Sequence, residues 1–299
     1  MNYFRRMNVE GSKIDKVKLV ECPRDAMQGW PDFIPTEKKI EYLNALIGVG
    51  FDSLDFGSFV SPKAIPQMAD TKQVISSIHT GNSRTKLLAI VANTRGAADA
   101  ASYDQIQDIG FPFSISETFQ QRNTNSSVQE SVKTVSEILK ISKDEGKRLV
   151  VYISMAFGNP YNDDWSAGIA INHIQKLAGM GVEVISLADT VGLATSDQVY
   201  ALTETLIATF PQIESGVHLH SRRENSIEKL EAAFSAGCRR FDGALDGIGG
   251  CPMAGDELVG NMDSLLMIDY FKKKKVLPEL NTQALEKSVR LANEIFIKH

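Results

Sequence analysis

The fold is decided by three stretches that share one pattern: IGVGFDSLDF (47–56), AGMGVEVISL (178–187) and SAGCRRFDGAL (235–245). In each stretch, an apolar helical segment reaches a glycine, and a run typical of a β-strand follows. Glycine is common just after a helix because it tolerates left-handed backbone angles. The pattern therefore predicts a helix, a turn and a strand, repeated at a period of roughly 30–35 residues, the size of one βαβ unit.

The same alternation runs through the whole chain, where segments with apolar residues at helical spacing separate short β-rich runs. Eight strands are predicted, at 17–21, 51–56, 87–91, 111–115, 148–154, 182–187, 215–220 and 239–245. Capping-box spacing to a Glu or Gln three residues later predicts helix starts at Ser127, Thr195 and Asn225. Helix ends are predicted at Gly50, Gly146, Gly181 and Gly237.

Eight strands alternating with helices fit two architectures, a closed (β/α)8 barrel or an open doubly wound sheet. The open sheet commonly carries a glycine-rich phosphate loop after its first strand, but here Cys-Pro-Arg-Asp (22–25) follows that strand. We therefore predict an α/β fold in which residues 1–299 form a single (β/α)8 TIM barrel. An amphipathic segment at about 282–297 predicts one extra C-terminal helix, which caps the barrel or packs on a partner.

The composition excludes several classes of protein. With 43% hydrophobic and 23% charged residues among 299, the chain is not of a disordered, collagen-like or coiled-coil type. The net charge of −5, from 32 basic and 37 acidic residues, argues against nucleic-acid binding. No run of about 18 apolar residues indicates a membrane span, and the N-terminus lacks the apolar region of a secretory signal. Three cysteines without a CxxC pair predict neither disulfides nor a zinc ribbon, so we expect a soluble cytoplasmic protein.

Polar residues gather where the predicted strands end, which is the catalytic face of a (β/α)8 barrel. The sharpest signal is His218-Leu219-His220, because residues i and i+2 of a strand point to the same face. With Asp25 and Asn261, the two imidazoles would form a mixed nitrogen and oxygen ligand set, which suits Mg²⁺, Mn²⁺, Co²⁺ or Zn²⁺. The alternative is a polar rim in which the histidines are only hydrogen-bonded.

Arg24 and Cys251 each allow a structural and a catalytic interpretation. Arg24 could close the rim as an ion pair with Asp25, or its guanidinium could stabilise a developing negative charge. Cys251 lies in the turn GIGGCP (247–252), where its thiol could transfer protons or be a bystander. Cys238, at a helix-to-strand junction, is predicted to be buried without a chemical role.

Six motifs, in order along nearly the whole chain, resemble 3-hydroxy-3-methylglutaryl-CoA lyases, which belong with the metal-dependent barrel lyases and Claisen-condensing synthases. The motifs are VECPRDAMQ (20–28), SFVSPKAIPQMAD (58–70), SETFQQRNTNSS (116–127), ISLADTVG (185–192), VHLH (217–220) and GIGGCP (247–252). The resemblance implies a (β/α)8 barrel and a retro-Claisen cleavage of an acyl-CoA to acetyl-CoA and acetoacetate. It associates this reaction with leucine degradation or ketone-body formation.

The resemblance also implies roles for individual residues. A divalent cation, Mg²⁺ or Mn²⁺ ahead of Zn²⁺ or Co²⁺, would be held by Asp25, His218, His220 and Asn261. Arg24 would stabilise an enolate oxygen and Cys251 would protonate the enolate carbon, while Asp55 and Asp189 would orient the site. The acyl-CoA substrate would contact Gln28, Lys63, Arg122, Asn123 and Asn125. The C-terminal helix is compatible with a homodimer.

Three departures from the family pattern leave the substrate open. Ser-Arg-Arg-Glu (221–224) replaces the Asp-Thr-Tyr-Gly that commonly follows the two histidines, which removes a carboxylate and adds two cations near the metal. Asp55 stands in place of a glutamate, and the 251–261 stretch is one residue longer than usual. Two alternatives stay open: a related condensing synthase or aldolase, or a catalytically impaired barrel that only binds a CoA ligand.

Overall fold

Eight parallel strands close into a barrel in chain order in the computed structural model, which describes residues 15–250 and 259–297. The ring closes where β8 pairs with β1, with Phe241 opposite Leu19. The predicted (β/α)8 barrel is therefore confirmed. Its strands are β1 Lys18–Glu21, β2 Ser53–Ser58, β3 Lys86–Ile90, β4 Ile106–Ser114, β5 Arg148–Ser154, β6 Val184–Asp189, β7 Glu214–Leu219 and β8 Arg240–Gly243.

Helices cover the outside of the barrel and bury their apolar faces against it. They are α1 Pro23–Gln28, α2 Thr36–Val49, α3 Thr71–Ser77, α4 Thr94–Ala101, α5 Glu117–Thr124, α6 Val128–Asp144, α7 Ala167–Gly179, α8 Ser196–Thr209, α9 Ser226–Ser235, α10 Ser264–Lys273 and α11 Thr282–Ile295. Short 3₁₀ turns lie at Pro66–Met68 and Leu245–Gly247. Among the described residues, no helix combines the length and apolar character needed to cross a bilayer.

The inside of the barrel is packed in layers. An apolar cluster fills its middle, formed by Leu88, Ile90, Val150, Tyr152 and Val184. Below this cluster, at the amino ends of the strands, Arg148 donates two hydrogen bonds to the buried Asp108, at 2.9 and 2.8 Å. Because the interior is filled, ligands can reach functional side chains only where the strands end.

Most predicted boundaries agree with the structure, including the helix start at Asn225; one predicted capping box is absent, and one strand begins earlier than predicted. The capping boxes at Ser127 and Thr195 are present. The capping box predicted at Asn225 is wrong, because the Asn225 Oδ1 instead accepts a hydrogen bond from the Arg222 backbone N–H at 2.9 Å. β4 begins at Ile106 rather than at 111. The prediction missed its first residues because the polar Gln107 and Asp108 interrupt the apolar run. Backbone φ is positive at each predicted helix-ending glycine: Gly50, Gly146, Gly181 and Gly237.

The predicted C-terminal helix is present as α11, and it packs against α2 in the outer layer. The Phe296 ring, just beyond this helix, meets the Trp30 ring edge-on, with centroids 5.2 Å apart. The backbone N–H of Asn281 donates to the carbonyl of Val49 at 2.9 Å, which ties the start of α11 to the end of α2. Within one chain, this helix therefore packs on α2 in the outer helical layer.

Candidate active site

Three of the predicted metal ligands meet at the carboxyl end of the barrel. Asp25 lies in α1 directly after β1, whereas His218 is in β7 and His220 follows that strand. One ligand atom from each residue lies within 4.8 Å of the other two. These residues come from opposite ends of the sequence, and they meet because only β8 separates β1 from β7 in the closed ring. We call these three residues the ligand cluster.

The two imidazoles of the ligand cluster are oriented by their Nδ1 atoms. His220 Nδ1 lies 2.8 Å from the Val259 carbonyl, to which it donates when it carries the proton, and His218 Nδ1 lies 3.4 Å from Asp242 Oδ2. With Nδ1 engaged in this way, Nε2 of each ring is the nitrogen that could bind a metal. Asp242 was not predicted, because its place opposite His218 depends on the register between β7 and β8.

Asn261, the fourth predicted ligand, completes the donor set. Its Nδ2 donates to Asp25 Oδ2 at 2.7 Å and to the Ile248 carbonyl at 2.9 Å. Its Oδ1 is buried, and it has no hydrogen-bond partner in the described part of the chain. A buried oxygen without a partner is costly, and a cation beside the ligand cluster would satisfy it. The four residues therefore fit a divalent metal that accepts both nitrogen and oxygen ligands.

A second group of possible ligands shares His218 and fits a metal less well. It consists of Cys22, His218 and Asp242. Burial, together with the nearby Asp242, raises the pKa of the Cys22 thiol well above its usual value. The thiol therefore keeps its proton, and a protonated thiol is a poor metal ligand.

Arg24 is held rigidly beside the ligand cluster. Its Nε donates to Asp55 Oδ2 at 3.0 Å, and its Nη1 donates to Asp25 Oδ1 at 3.0 Å and to Gln28 Oε1 at 2.8 Å. The ion pair that would close the rim is therefore present, and it also fixes the guanidinium beside Asp25. A preorganised cation of this kind can stabilise a charge that develops in a transition state.

The two carboxyl groups that contact Arg24 have pKa values that are shifted in opposite directions. Burial opposes the charged form of Asp25, but Arg24 and the two histidines outweigh it and lower the pKa of Asp25 to about 2. Burial raises the pKa of Asp55 to about 6, although Arg24 opposes this rise. The predicted ligand Asp25 is therefore ionised over the whole physiological range, as metal binding requires.

A pocket leads from solvent to the ligand cluster. Its walls are mostly apolar and include Val60, Ile65, Ile90, Pro112 and Phe119. Gln28 and Asn123, two of the predicted substrate contacts, also line the pocket.

The other predicted substrate contacts lie outside the lining of this pocket. Lys63 is exposed on the segment after β2. The Arg122 guanidinium stacks on the Tyr161 ring, 4.6 Å from its centroid. Asn125 ends α5 and accepts a hydrogen bond from Gln121 at 3.0 Å. Contacts from these three residues to a substrate stay a prediction.

Asp189 also lies outside the pocket lining, although it was predicted to act in the site. Its Oδ2 accepts from Lys229 Nζ at 2.7 Å, and its Oδ1 accepts from the Ala194 backbone N–H at 3.1 Å. Lys229 was missed in the sequence. Its position on α9 between Ser226 and Leu230, on the face that is buried, is the signal that could have revealed it.

Cys251 lies outside the described residues, but the residues that lead to it pack on the ligand cluster. At Gly249, φ is +112°, and a Cβ atom would lie 2.5 Å from Asn261 Nδ2 and 2.9 Å from the Asp25 carbonyl oxygen. Only glycine can make this approach. Close packing against Asn261 and Asp25 therefore requires glycine at position 249 of the GIGGCP motif.

The buried Glu21 ties both ends of the Cys251-bearing segment to β1. Its Oε1 accepts from the Leu245 backbone N–H at 2.9 Å, and its Oε2 accepts from Ser264 Oγ at 2.5 Å. Burial raises the pKa of Glu21 to about 8. Between the unfolded value of about 4.3 and the folded value, the native state holds a proton that the unfolded state has lost, so stability falls as pH rises.

We expect the substitution Glu21→Gln to flatten this pH dependence, because glutamine keeps an acceptor for Leu245 and has no proton to lose. Urea unfolding at pH 5.5 and 8.5 measures it, and the variant should gain stability relative to the wild type at the higher pH. Glu214→Gln is the control, because Lys18, Arg240 and Arg148 together outweigh burial and lower the pKa of Glu214. An unchanged pH slope in Glu21→Gln would contradict this account.

Comparison with known proteins agrees with this geometry. The chain matches the family model HMGL-like over residues 16–291. The hydroxymethylglutaryl-CoA lyase YngG of Bacillus subtilis is 33% identical over 240 residues, which cover 80% of each chain. The (R)-citramalyl-CoA lyase of Chloroflexus aurantiacus is 30% identical over 282 residues, which cover 91% of this chain and 88% of that relative.

Among solved structures, an HMG-CoA lyase from Acinetobacter baumannii in complex with coenzyme A and 3-methylmalate superposes with a TM-score of 0.87. It is 27% identical, and the match covers 96% of this chain and 93% of that one. The chain therefore belongs to the HMGL-like family, as an enzyme that resembles the hydroxymethylglutaryl-CoA lyases.

Proposed function

We propose that this enzyme is a divalent-metal-dependent lyase that cleaves 3-hydroxy-3-methylglutaryl-CoA to acetyl-CoA and acetoacetate. One observation carries the proposal: Asp25, His218 and His220 converge near Asn261, whose buried Oδ1 has no hydrogen-bond partner among the described residues. Mg²⁺ or Mn²⁺ fits this set first, with Zn²⁺ or Co²⁺ as alternatives. The HMG-CoA lyases among the relatives support the substrate class.

The chemistry follows from what the site residues can do. When bound, the cation would supply Lewis acidity toward the substrate hydroxyl and make it easier to ionise. Arg24, fixed by Asp55, would donate to the thioester oxygen, where negative charge develops as the enolate forms. The mostly apolar walls of the pocket would exclude water from this enolate.

The bond changes balance with Cys251 as the proton donor. A base removes the proton of the substrate hydroxyl, the new carbonyl forms, and the carbon–carbon bond breaks. The electron pair of the broken carbon–carbon bond passes to the thioester fragment, which departs as the enolate of acetyl-CoA. The Cys251 thiol would then give its proton to the enolate carbon, which completes acetyl-CoA.

A second candidate substrate is (R)-citramalyl-CoA, which the same bond cleavage would split into acetyl-CoA and pyruvate. It is favoured by the Chloroflexus relative, whose match spans 91% of this chain. Because both substrates place a hydroxyl and a carboxylate near the bond that breaks, the ligand cluster could accept either.

A product assay tests the proposal and separates the two substrates. We expect purified protein with Mn²⁺ to release equal amounts of acetyl-CoA and acetoacetate from 3-hydroxy-3-methylglutaryl-CoA. Removal of the metal with a chelator should abolish turnover, and added Mn²⁺ should restore it. Pyruvate from citramalyl-CoA, with no acetoacetate from the first substrate, would reassign the substrate.

The variant Cys251→Ala is expected to stop turnover under the same conditions. Unchanged turnover in this variant would exclude the role given to Cys251. Free coenzyme A released from acetyl-CoA and a 2-oxo acid would identify a condensing synthase instead. Tight binding of acyl-CoA by calorimetry, with no product, would identify an impaired CoA-binding barrel.

The biological setting belongs to the same proposal. We propose a cytoplasmic homodimer, whose reaction would serve leucine degradation. Fractionation of cells and light scattering of the purified protein would test the location and the oligomeric state.

A further inference from the structure

A fully buried lysine lies directly behind the ligand cluster. Lys229 is 0% exposed, and its ammonium has three acceptors. These are Asp189 Oδ2 at 2.7 Å, the His220 carbonyl at 3.0 Å and the Gly192 carbonyl at 3.2 Å. An ammonium has three protons to donate, so this cation is saturated by these contacts alone. It has no remaining donor for a substrate, and its role must be exerted through the groups that it holds.

The bond from Lys229 to the Gly192 carbonyl links the lysine indirectly to the His220 ring. A Cβ atom at Gly192 would lie 2.8 Å from Val259 Cγ1, so the turn after β6 packs directly against Val259. Val259 in turn provides the carbonyl that lies 2.8 Å from His220 Nδ1. Lys229 therefore holds His220 in two ways. It bonds the His220 carbonyl directly, and it bonds the turn at Gly192 that packs on Val259.

The same arrangement includes the segment that carries Asn261. The backbone N–H of Ser221 donates to the Gly260 carbonyl at 3.0 Å, and that of Met262 donates to the Leu219 carbonyl at 3.0 Å. These bonds form a short antiparallel bridge between His220 and Asn261. A shift of the His220 backbone would therefore move two predicted ligands together.

We infer that Lys229 is a positioning residue for the metal centre, since it fixes the backbone and the ring orientation of His220 and, through the bridge, the place of Asn261. The inference rests on the proposed function, because it assigns His220 and Asn261 as ligands. It also explains how the site is held where Ser221 stands in place of the aspartate that commonly follows the two histidines. Groups behind metal ligands typically change metal affinity by about 10- to 100-fold when they are removed.

The test compares Lys229→Met with Lys39→Met. Lys39 is the matched control, because it is also buried and bonded to a carboxylate, Asp70 at 2.8 Å, but in the described part of the chain its ammonium bonds Asp70 and the Gln67 carbonyl rather than the ligand cluster. Binding of Mn²⁺ is measured by the loss of the free-ion signal in electron paramagnetic resonance. We expect the Mn²⁺ Kd to rise about 10- to 100-fold in Lys229→Met and to stay within about twofold in Lys39→Met.

A double variant separates positioning from simple charge balance. Lys229→Met leaves Asp189 as an unpaired buried charge, whereas Lys229→Met with Asp189→Asn removes both charges and protects folding. We expect the double variant to regain thermal stability while its Mn²⁺ Kd stays raised at least about 10-fold. Recovery of wild-type Mn²⁺ affinity in the double variant would overturn the inference.

A readout without metal keeps the inference separate from the proposed function. In the metal-free protein, the Nδ1–H of His220 should exchange slowly with solvent in NMR spectra of the wild type and of Lys39→Met. It should exchange at least about tenfold faster in the double variant, because its Val259 acceptor is no longer held. If wild-type protein failed to bind Mn²⁺, the proposed function would fail, and equal exchange rates in all variants would reject the role of Lys229.

Discussion

Replacing Asp25 by asparagine is expected to lower kcat about 1000-fold or more, because it removes the only carboxylate of the ligand cluster. A metal centre contributes several kcal/mol to transition-state stabilisation, and each 1.36 kcal/mol is tenfold in rate. The pKa of Asp25, lowered to about 2, means that its negative charge is present throughout the working pH range. Single-turnover kinetics and Mn²⁺ titration of the variant measure the two effects.

The control for this substitution is Asp108→Asn. Asp108 is also buried and also pairs with an arginine, but it lies at the amino ends of the strands. This variant should lose stability and keep its Mn²⁺ affinity. If Asp25→Asn bound Mn²⁺ as tightly as the wild type, Asp25 would not be a ligand.

Replacing Arg24 by lysine is expected to lower kcat about 100- to 1000-fold while Mn²⁺ still binds. Lysine keeps the charge, so Asp55 is not left unpaired, but it cannot reproduce the forked contacts of the guanidinium with Asp55 and Gln28. The enolate oxygen would then face a cation that is no longer fixed in position. Steady-state kinetics with the preferred substrate, beside Mn²⁺ titration, checks this split.

Arg148→Lys is the matched control, because Arg148 makes a similar forked pair with Asp108 at the far end of the barrel. It should lose stability to a similar extent with kcat nearly unchanged. Equal losses of kcat in the two variants would show that Arg24 acts only through the stability of the barrel.

The fold could be predicted from local signals because each βαβ unit repeats the same pattern. The glycine after a helix and the apolar run that follows it can both be recognised from the neighbouring residues alone. The start of β4 could not be predicted, since Asp108 is buried there only because Arg148 of the next strand pairs with it. Likewise, the Asn225 side chain turned back to Arg222, a choice between two local hydrogen bonds that the capping-box spacing does not decide.

Some residues of the site could also be predicted from the sequence, and others could not. His218 and His220 could be predicted to share a face because strand alternation is local. Asp25 and Asn261 could be added because they follow predicted strands at the catalytic face, and the motif resemblance implies the same set. Asp242 could not be found, because its contact with His218 depends on the register of two strands. The role of Lys229 could not be predicted either, because its contact with Gly192 exists only once the barrel has folded and the turn at Gly192 packs on Val259.

The position of a bound metal tests the central claim most directly. A crystal soaked in Mn²⁺ should give one strong anomalous peak, within metal–ligand distance of Asp25, of the Nε2 atoms of His218 and His220, and of Asn261 Oδ1. A peak elsewhere in the protein, or clear density for these side chains with no peak between them, would contradict it.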